Sequence, residues 1–215
     1  MIKKIKKIGW KLLNTLGAGG GVQLTLESGL LDDGWFRSFY RKESVNRSGE
    51  PIPWYTYAFI KFIEERIQPH FQIFEFGCGN STLWYARRVK QVRAVEHDEK
   101  WYNKMKPVMP ENVELIFHPL DADAYVQEVQ RSTEKYHMII VDGRRRNECA
   151  LASIGALKEE GVLVLDNSER EQYQQAIAVL KEKGYKRLDF WGIAPVAANN
   201  TCTSVFYKSG NCIGV

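Results

Sequence analysis

The sequence predicts a doubly wound α/β protein, with about seven strands in a mostly parallel sheet, a terminal antiparallel pair and helices on both faces. Three observations carry this. From residue 71, short apolar runs alternate with amphipathic stretches five times before two runs follow each other directly. Runs such as MIIV and VLVL are apolar at every position, as strands covered on both sides must be. The chain has 215 residues, 44% hydrophobic and 26% charged, enough for one ordinary domain with a real core. No apolar run approaches the ~20 residues of a membrane span.

The elements follow in order. FQIFEF is a strand and STLWYARRV a helix; VRAVEH is a strand, followed by a helix from Asp98 to about Lys106. VELIF is a strand, with a helix near 122–131; YHMIIVD is a strand and RNECALASIGAL a helix. GVLVLD is a strand and EREQYQQAIAVLKEK a helix, and YKRLDFW and CTSVFYK make the final pair. Three parts result: residues 1–21, residues 22–70 and a domain from 71 to 215. In the middle part Pro53 should open a helix, WYTYAFIKFIEERI, stopped by Pro69. The polar, turn-rich stretch before it is too long for a simple connection and reads as a cap or substrate segment.

The first part carries the charge. The chain is +4 overall, yet residues 1–16 hold five lysines and no acid, leaving 25 basic against 26 acidic side chains elsewhere. The body is therefore not basic, and no nucleic-acid partner is expected. On a helix, Ile2, Ile5, Ile8, Leu12, Leu13 and Leu16 fall within an arc of about 140° that excludes every lysine. That stripe should be buried, against the domain, a second copy of the chain or an anionic membrane. GAGGG at 17–21 should make a flexible joint. Cys78, Cys149, Cys202 and Cys212 show no CxxC spacing and read as reduced thiols of a cytoplasmic protein, peripheral on the membrane's inner face if the helix binds there.

In open α/β sheets the ligand lies beyond the carboxyl ends of the strands. Those ends carry Glu75 before Gly77-Cys78-Gly79-Asn80-Ser81, then Glu96-His97-Asp98, Asp142-Gly143-Arg144 and Asp166-Asn167. Four converging acids repel one another unless a ligand or a cation uses them. Gly77 and Gly79 allow a sharp turn and close approach to a ligand, with the next helix opening at Ser81. A dinucleotide fingerprint would need a third glycine where Thr82 stands, and Glu75 opposes a pyrophosphate. Glu75 suits a cationic amino group instead. Glu96, 21 residues further on, suits the two hydroxyls of a ribose, with His97 beside the adenosine edge.

EFGCGNST resembles the first motif of the class I S-adenosylmethionine-dependent methyltransferases, and the likeness covers about residues 71–208. It implies that Glu75, Gly77, Gly79 and Ser81 hold the methionine part of the donor and Glu96 the ribose. It puts the adenine segment on Asp121 and Asp123 and gives Asp142 a place at the donor. Residues 136–167 are similar to the cation-dependent O-methyltransferases, which implies a magnesium or manganese centre on Asp142, Asp166 and Asn167. Where that group has a lysine this chain has Arg145, which cannot act as a base. Asp142 and Asp166 remain the candidate catalytic residues.

Arg144, Arg145 and Arg146 imply an anion nearby, either Asp142 and Asp166 themselves or an acceptor's carboxylate or phosphate. Arg144 and Arg145 are the acceptor candidates, with Trp54 from the 22–57 segment, which should choose the acceptor together with the 192–202 loop. The expected activity is O-methylation of a small-molecule, glycan or lipid-linked acceptor. Alternatives are another adenosyl-ligand transferase, such as an aminopropyltransferase, or a non-catalytic adenosyl-binding adaptor.

Overall fold

The computed structural model describes residues 2–120 and 123–215, with side chains from residue 8 onward, so Asp121 lies outside the described residues. Helices α1 (Ile2–Thr15), α2 (Gly19–Leu26), α3 (Gly29–Asp33), α4 (Trp35–Arg41) and α5 (Tyr57–Glu64) precede the sheet. Its strands are β1 (Gln72–Phe76), β2 (Gln91–Glu96), β3 (Val113–Phe117), β4 (Tyr136–Val141), β5 (Leu157–Asp166), β6 (Lys186–Ile193) and β7 (Asn200–Tyr207). Between them run α6 (Asn80–Ala86), α7 (Glu99–Met105), α8 (Ala124–Gln127), α9 (Arg146–Ser153) and α10 (Gln174–Glu182).

The strand order is β3-β2-β1-β4-β5-β7-β6. Pairing is parallel from β3 to β5, and β7 runs antiparallel between β5 and β6. The chain builds outward from β1 to β3 and then returns to β4 on the other side. That reversal opens a crevice between the carboxyl ends of β1 and β4.

The two-residue period of the strands separates two cores. Phe74, Phe76, Ile139, Val141, Leu163 and Leu165 face Tyr125, Cys149 and Leu180. Ile73, Met138, Ile140, Val162 and Val164 face Phe59 and Ile63 of α5 and Trp84 and Tyr85 of α6. Each such side chain stabilises the fold by ~1.5–3 kcal/mol when fully buried. Both faces are thus covered, as the unbroken apolar runs require.

Three local features differ from expectation. Helix α5 begins at Tyr57, not after Pro53, because Thr56 is drawn to the sheet: its N–H donates to Thr203 Oγ1 at 3.2 Å and its hydroxyl to the Phe190 carbonyl at 3.1 Å. The glycine joint shrinks to Gly17 and Ala18, since Gly19–Gly21 enter α2. On α1 and just after it, Ile8, Leu12 and Leu16 are 64%, 61% and 70% exposed, so this part of the stripe does not lie on the domain. No described helix is long and apolar enough to cross a membrane, and all four cysteines are free thiols.

Candidate active site

Two backbone turns make the crevice. Gly77 follows β1 with φ +96°, a left-handed conformation open to glycine, and its N–H donates to the Val95 carbonyl at 2.8 Å. Gly143 follows β4, and a Cβ there would come within 2.1 Å of the Tyr125 hydroxyl and 3.0 Å of the Phe76 carbonyl oxygen. Only glycine lets the two loops lie this close. A cavity of about 900 Å³ opens above them, bounded by the ends of β1, β2, β4 and β5 and by the loop at 194–201. That is near the upper end of the range for ligand sites, ~300–1,000 Å³.

Glu75 and Glu96 line one half of this cavity, held by hydroxyls and backbone N–H groups, with His97 Nδ1 also 2.9 Å from Glu96 Oε1. Glu75 is buried and accepts hydrogen bonds from the Ser81 hydroxyl and from Thr82 Oγ1, the latter at 2.5 Å. Burial pushes its pKa up to about 7 against the opposing pull of those two bonds. Thr82, at the position of the absent third glycine, also accepts the Gly79 N–H at 3.0 Å. Glu96 accepts backbone N–H groups from Cys78 at 3.2 Å and from His97 and Asp98 at 2.8 Å each. His97 lines the cavity, as does Trp101, whose indole N–H donates to the Cys78 carbonyl at 2.7 Å. Nothing in the local pattern marks Trp101 in advance.

Asp142 and Asp166 line the other half, and a cation lies between them. Arg146 Nη2 donates to Asp142 Oδ1 at 3.0 Å, and Nη1 lies 3.9 Å from Asp166 Oδ2 and donates to Asn167 Oδ1 at 3.3 Å. Asp166 also accepts the Thr203 hydroxyl at 2.7 Å. Burial raises the pKa of both aspartates, and the Arg146 charge opposes it. The metal centre expected on Asp142, Asp166 and Asn167 does not fit this arrangement, because one guanidinium already takes a side-chain oxygen of Asp142 and of Asn167 and lies 3.9 Å from the Asp166 carboxylate. Among the described residues no group of three His, Cys, Asp or Glu side chains is placed to hold a metal ion.

The remaining expected residues divide. Trp54, Ser81, Arg144 and Asn167 line the cavity. Arg145 does not: its guanidinium bonds Asp123 at 3.0 Å and Glu148 at 3.2 Å. Asp123 is thereby held on the outside as well, and Gly79 is not among the residues that line the cavity. Arg170, unassigned by sequence reasoning, lines the cavity with Arg144. Trp35 donates its indole N–H to the Ala197 carbonyl at 2.7 Å, and Asn80 donates to the Ser44 carbonyl at 2.7 Å. The segment before α5 is thus fastened both to the loop before β7 and to the glycine loop.

No protein-family profile matches the chain, and no curated protein matches it. Solved structures do. Precorrin-6y C5,15-methyltransferase from Geobacter metallireducens aligns at 16% identity and TM-score 0.56 over 71% of this chain and 87% of its own. Precorrin 8W decarboxylase from Methanobacterium thermoautotrophicum aligns at 16% and 0.53 over 79% and 97%. A methyltransferase candidate from Streptococcus mutans in complex with SAH aligns at 13% and 0.50 over 69% and 94%. The chain therefore has the fold of the class I S-adenosylmethionine-dependent methyltransferases. One of these neighbours is named a decarboxylase, so the reaction has to be argued from the site.

Proposed function

We propose that the protein is an S-adenosylmethionine-dependent methyltransferase acting on a hydroxyl of a small-molecule or glycan acceptor. The observation that carries this reading is the pairing of Glu75 and Glu96, buried and prearranged by hydroxyls and backbone N–H groups, in one cavity with Asp142. Hydroxyl and backbone N–H donors satisfy the carboxylate oxygens without supplying a counter-charge, which leaves that part to the ligand. Glu75 suits the donor's ammonium group, and Glu96 suits the ribose hydroxyls. A donor held by these two carboxylates would supply an activated methyl group in the cavity that Asp142 also lines.

The acceptor oxygen attacks that methyl carbon as its bond to sulfur breaks, and the sulfur leaves as a neutral thioether. The hydroxyl proton passes to Asp142, which Arg146 favours in its ionised form. Alignment of donor and acceptor supplies much of the rate. Arg144 and Arg170 border the acceptor side, and Trp54 offers an exposed ring there, which fits a cyclic acceptor bearing a carboxylate or phosphate. The test is formation of S-adenosylhomocysteine over an acceptor panel of anionic and neutral glycans and phenols. Release with anionic cyclic acceptors is expected, and none with any acceptor would reject the reading.

Helix α1 supports a location at an anionic membrane. Ile8, Leu12 and Leu16 are exposed, and residues 1–16 carry five lysines without an acid. Each lysine near an anionic surface adds ~1 kcal/mol. A lipid-linked acceptor would then reach the site from that surface. Sedimentation with anionic vesicles, lost on raising the salt, is the expected result; full-length protein that stays in the supernatant would reject this placement.

A further inference from the structure

Arg146 stands in the first turn of α9 with its side chain 9% exposed. A cation at a helix N-terminus opposes the helix dipole, and a buried guanidinium is costly unless fully paired. Here the pairing is complete. Nε donates to the Gly143 carbonyl at 3.0 Å, Nη2 to the Asp142 carbonyl at 2.8 Å and to Asp142 Oδ1 at 3.0 Å. Nη1 donates to the Asp166 carbonyl and to Asn167 Oδ1, the latter at 3.3 Å. Three backbone carbonyls and the side chains of Asp142 and Asn167, all from the ends of β4 and β5, converge on one planar cation. They are hard oxygen donors, the set that magnesium or manganese takes.

We infer that Arg146 is the permanent cation of this site, holding Asp142, Asp166 and the ends of β4 and β5 in the place a divalent ion would take and so closing the site to divalent metals. It acts through the two aspartates and is a positioning residue. The neighbouring arginines cannot substitute, since Arg145 is engaged by Asp123 and Glu148 and Arg144 is exposed at the rim. The backbone explains the selection. Arg145 adopts φ +50°, and this left-handed residue redirects the chain so that the next side chain turns under the strand ends. If the methyltransferase reading holds, turnover should be unaffected by EDTA. That consequence alone rests on the reading, and the metal-binding test below is independent of any reaction.

The experiment titrates the full chain with Mn²⁺ and follows free Mn²⁺ by electron paramagnetic resonance. The wild type should show no stoichiometric binding. Arg146→Ser opens the oxygen cage and should gain one Mn²⁺ per chain, at least tenfold tighter than any wild-type binding. Adding Asp166→Asn should remove that ion, and Arg146→Lys, which keeps the charge, should gain none. One Mn²⁺ bound by the wild type and lost in Asp166→Asn would overturn the inference. So would a folded Arg146→Ser variant, judged by circular dichroism, that gains no ion. Should Arg146→Ser fail to fold, the wild type and Asp166→Asn decide the matter alone: an ion bound by the first and lost in the second overturns the inference, and no ion bound by the first supports it.

Discussion

The two halves of the cavity solve one electrostatic problem in different ways. Each gathers two carboxylates at the ends of neighbouring strands, Glu75 with Glu96 and Asp142 with Asp166. In the first half the partners are hydroxyls and backbone N–H groups, which satisfy oxygen atoms without cancelling charge. In the second half the partner is the Arg146 guanidinium, which cancels charge and ties two strands together. In the proposed reaction the first half would receive a cation and hydroxyls from outside. The second is already supplied with its cation and, on the same proposal, would move a proton.

Removing charge from the second half should have the largest effect. Asp142→Asn keeps the shape but cannot accept a proton, so turnover should fall by about 10²–10⁴, the usual share of a general base. Donor affinity, measured by calorimetry, should stay within a few-fold. Equal losses in both would place Asp142 at the donor and erase the distinction between the halves.

The rim arginines come next. Hydrogen bonds to charged groups are worth ~1.5–3 kcal/mol. The double variant Arg144→Ala with Arg170→Ala should therefore raise KM for an anionic acceptor about ten- to a hundredfold. Steady-state kinetics should show kcat little changed. A fall in kcat at constant KM would assign these residues to the chemistry instead.

Glu75 gives the first half a pH signature. Burial raises its carboxyl to about 7 in the free protein, so it is protonated in mild acid, whereas a bound ammonium favours the carboxylate. Donor binding thus releases a proton, and affinity should rise with pH, by up to about tenfold per unit, until it levels off above neutrality. The same raised pKa lowers fold stability as pH climbs from the ordinary carboxylate range to about 7. Glu75→Gln should flatten the binding profile and be the more stable variant at pH 8. An unchanged slope by calorimetry would move the ammonium elsewhere.

The smallest expected effect lies outside both halves. Because Ile8, Leu12 and Leu16 are exposed, deleting residues 1–16 should change stability by less than ~1 kcal/mol, roughly 2–4 °C in melting temperature. Both halves should keep their affinities. A larger fall in scanning calorimetry would mean that the stripe is packed on protein in solution.

Much of this arrangement was legible in the sequence. The runs FQIF, MIIV and VLVL could only be strands covered on both sides, and an acid at each carboxyl end marked the rim. What stayed hidden depended on tertiary geometry. Three consecutive arginines look alike on paper, and the left-handed turn at Arg145 decides that the third, not the second, enters the site. Arg170 reaches the cavity from a loop and Trp101 from the first turn of α7, in directions no periodicity encodes. Gly143 is required by the Tyr125 hydroxyl, which arrives from α8. The late start of α5 follows from the hold of Thr203 on Thr56, 147 residues apart in sequence.

The central claim is that the Glu75–Glu96 half receives an adenosyl donor, and isothermal titration of the full chain with S-adenosylhomocysteine and with NAD tests it most directly. S-Adenosylhomocysteine should bind with Kd in the micromolar range, about −8 kcal/mol, and NAD should not compete. Glu96→Ala should weaken that binding by ~1.5–3 kcal/mol, since it removes the acceptor of the ribose hydroxyls. Preferential binding of NAD, or an affinity for S-adenosylhomocysteine unchanged in Glu96→Ala, would contradict the account.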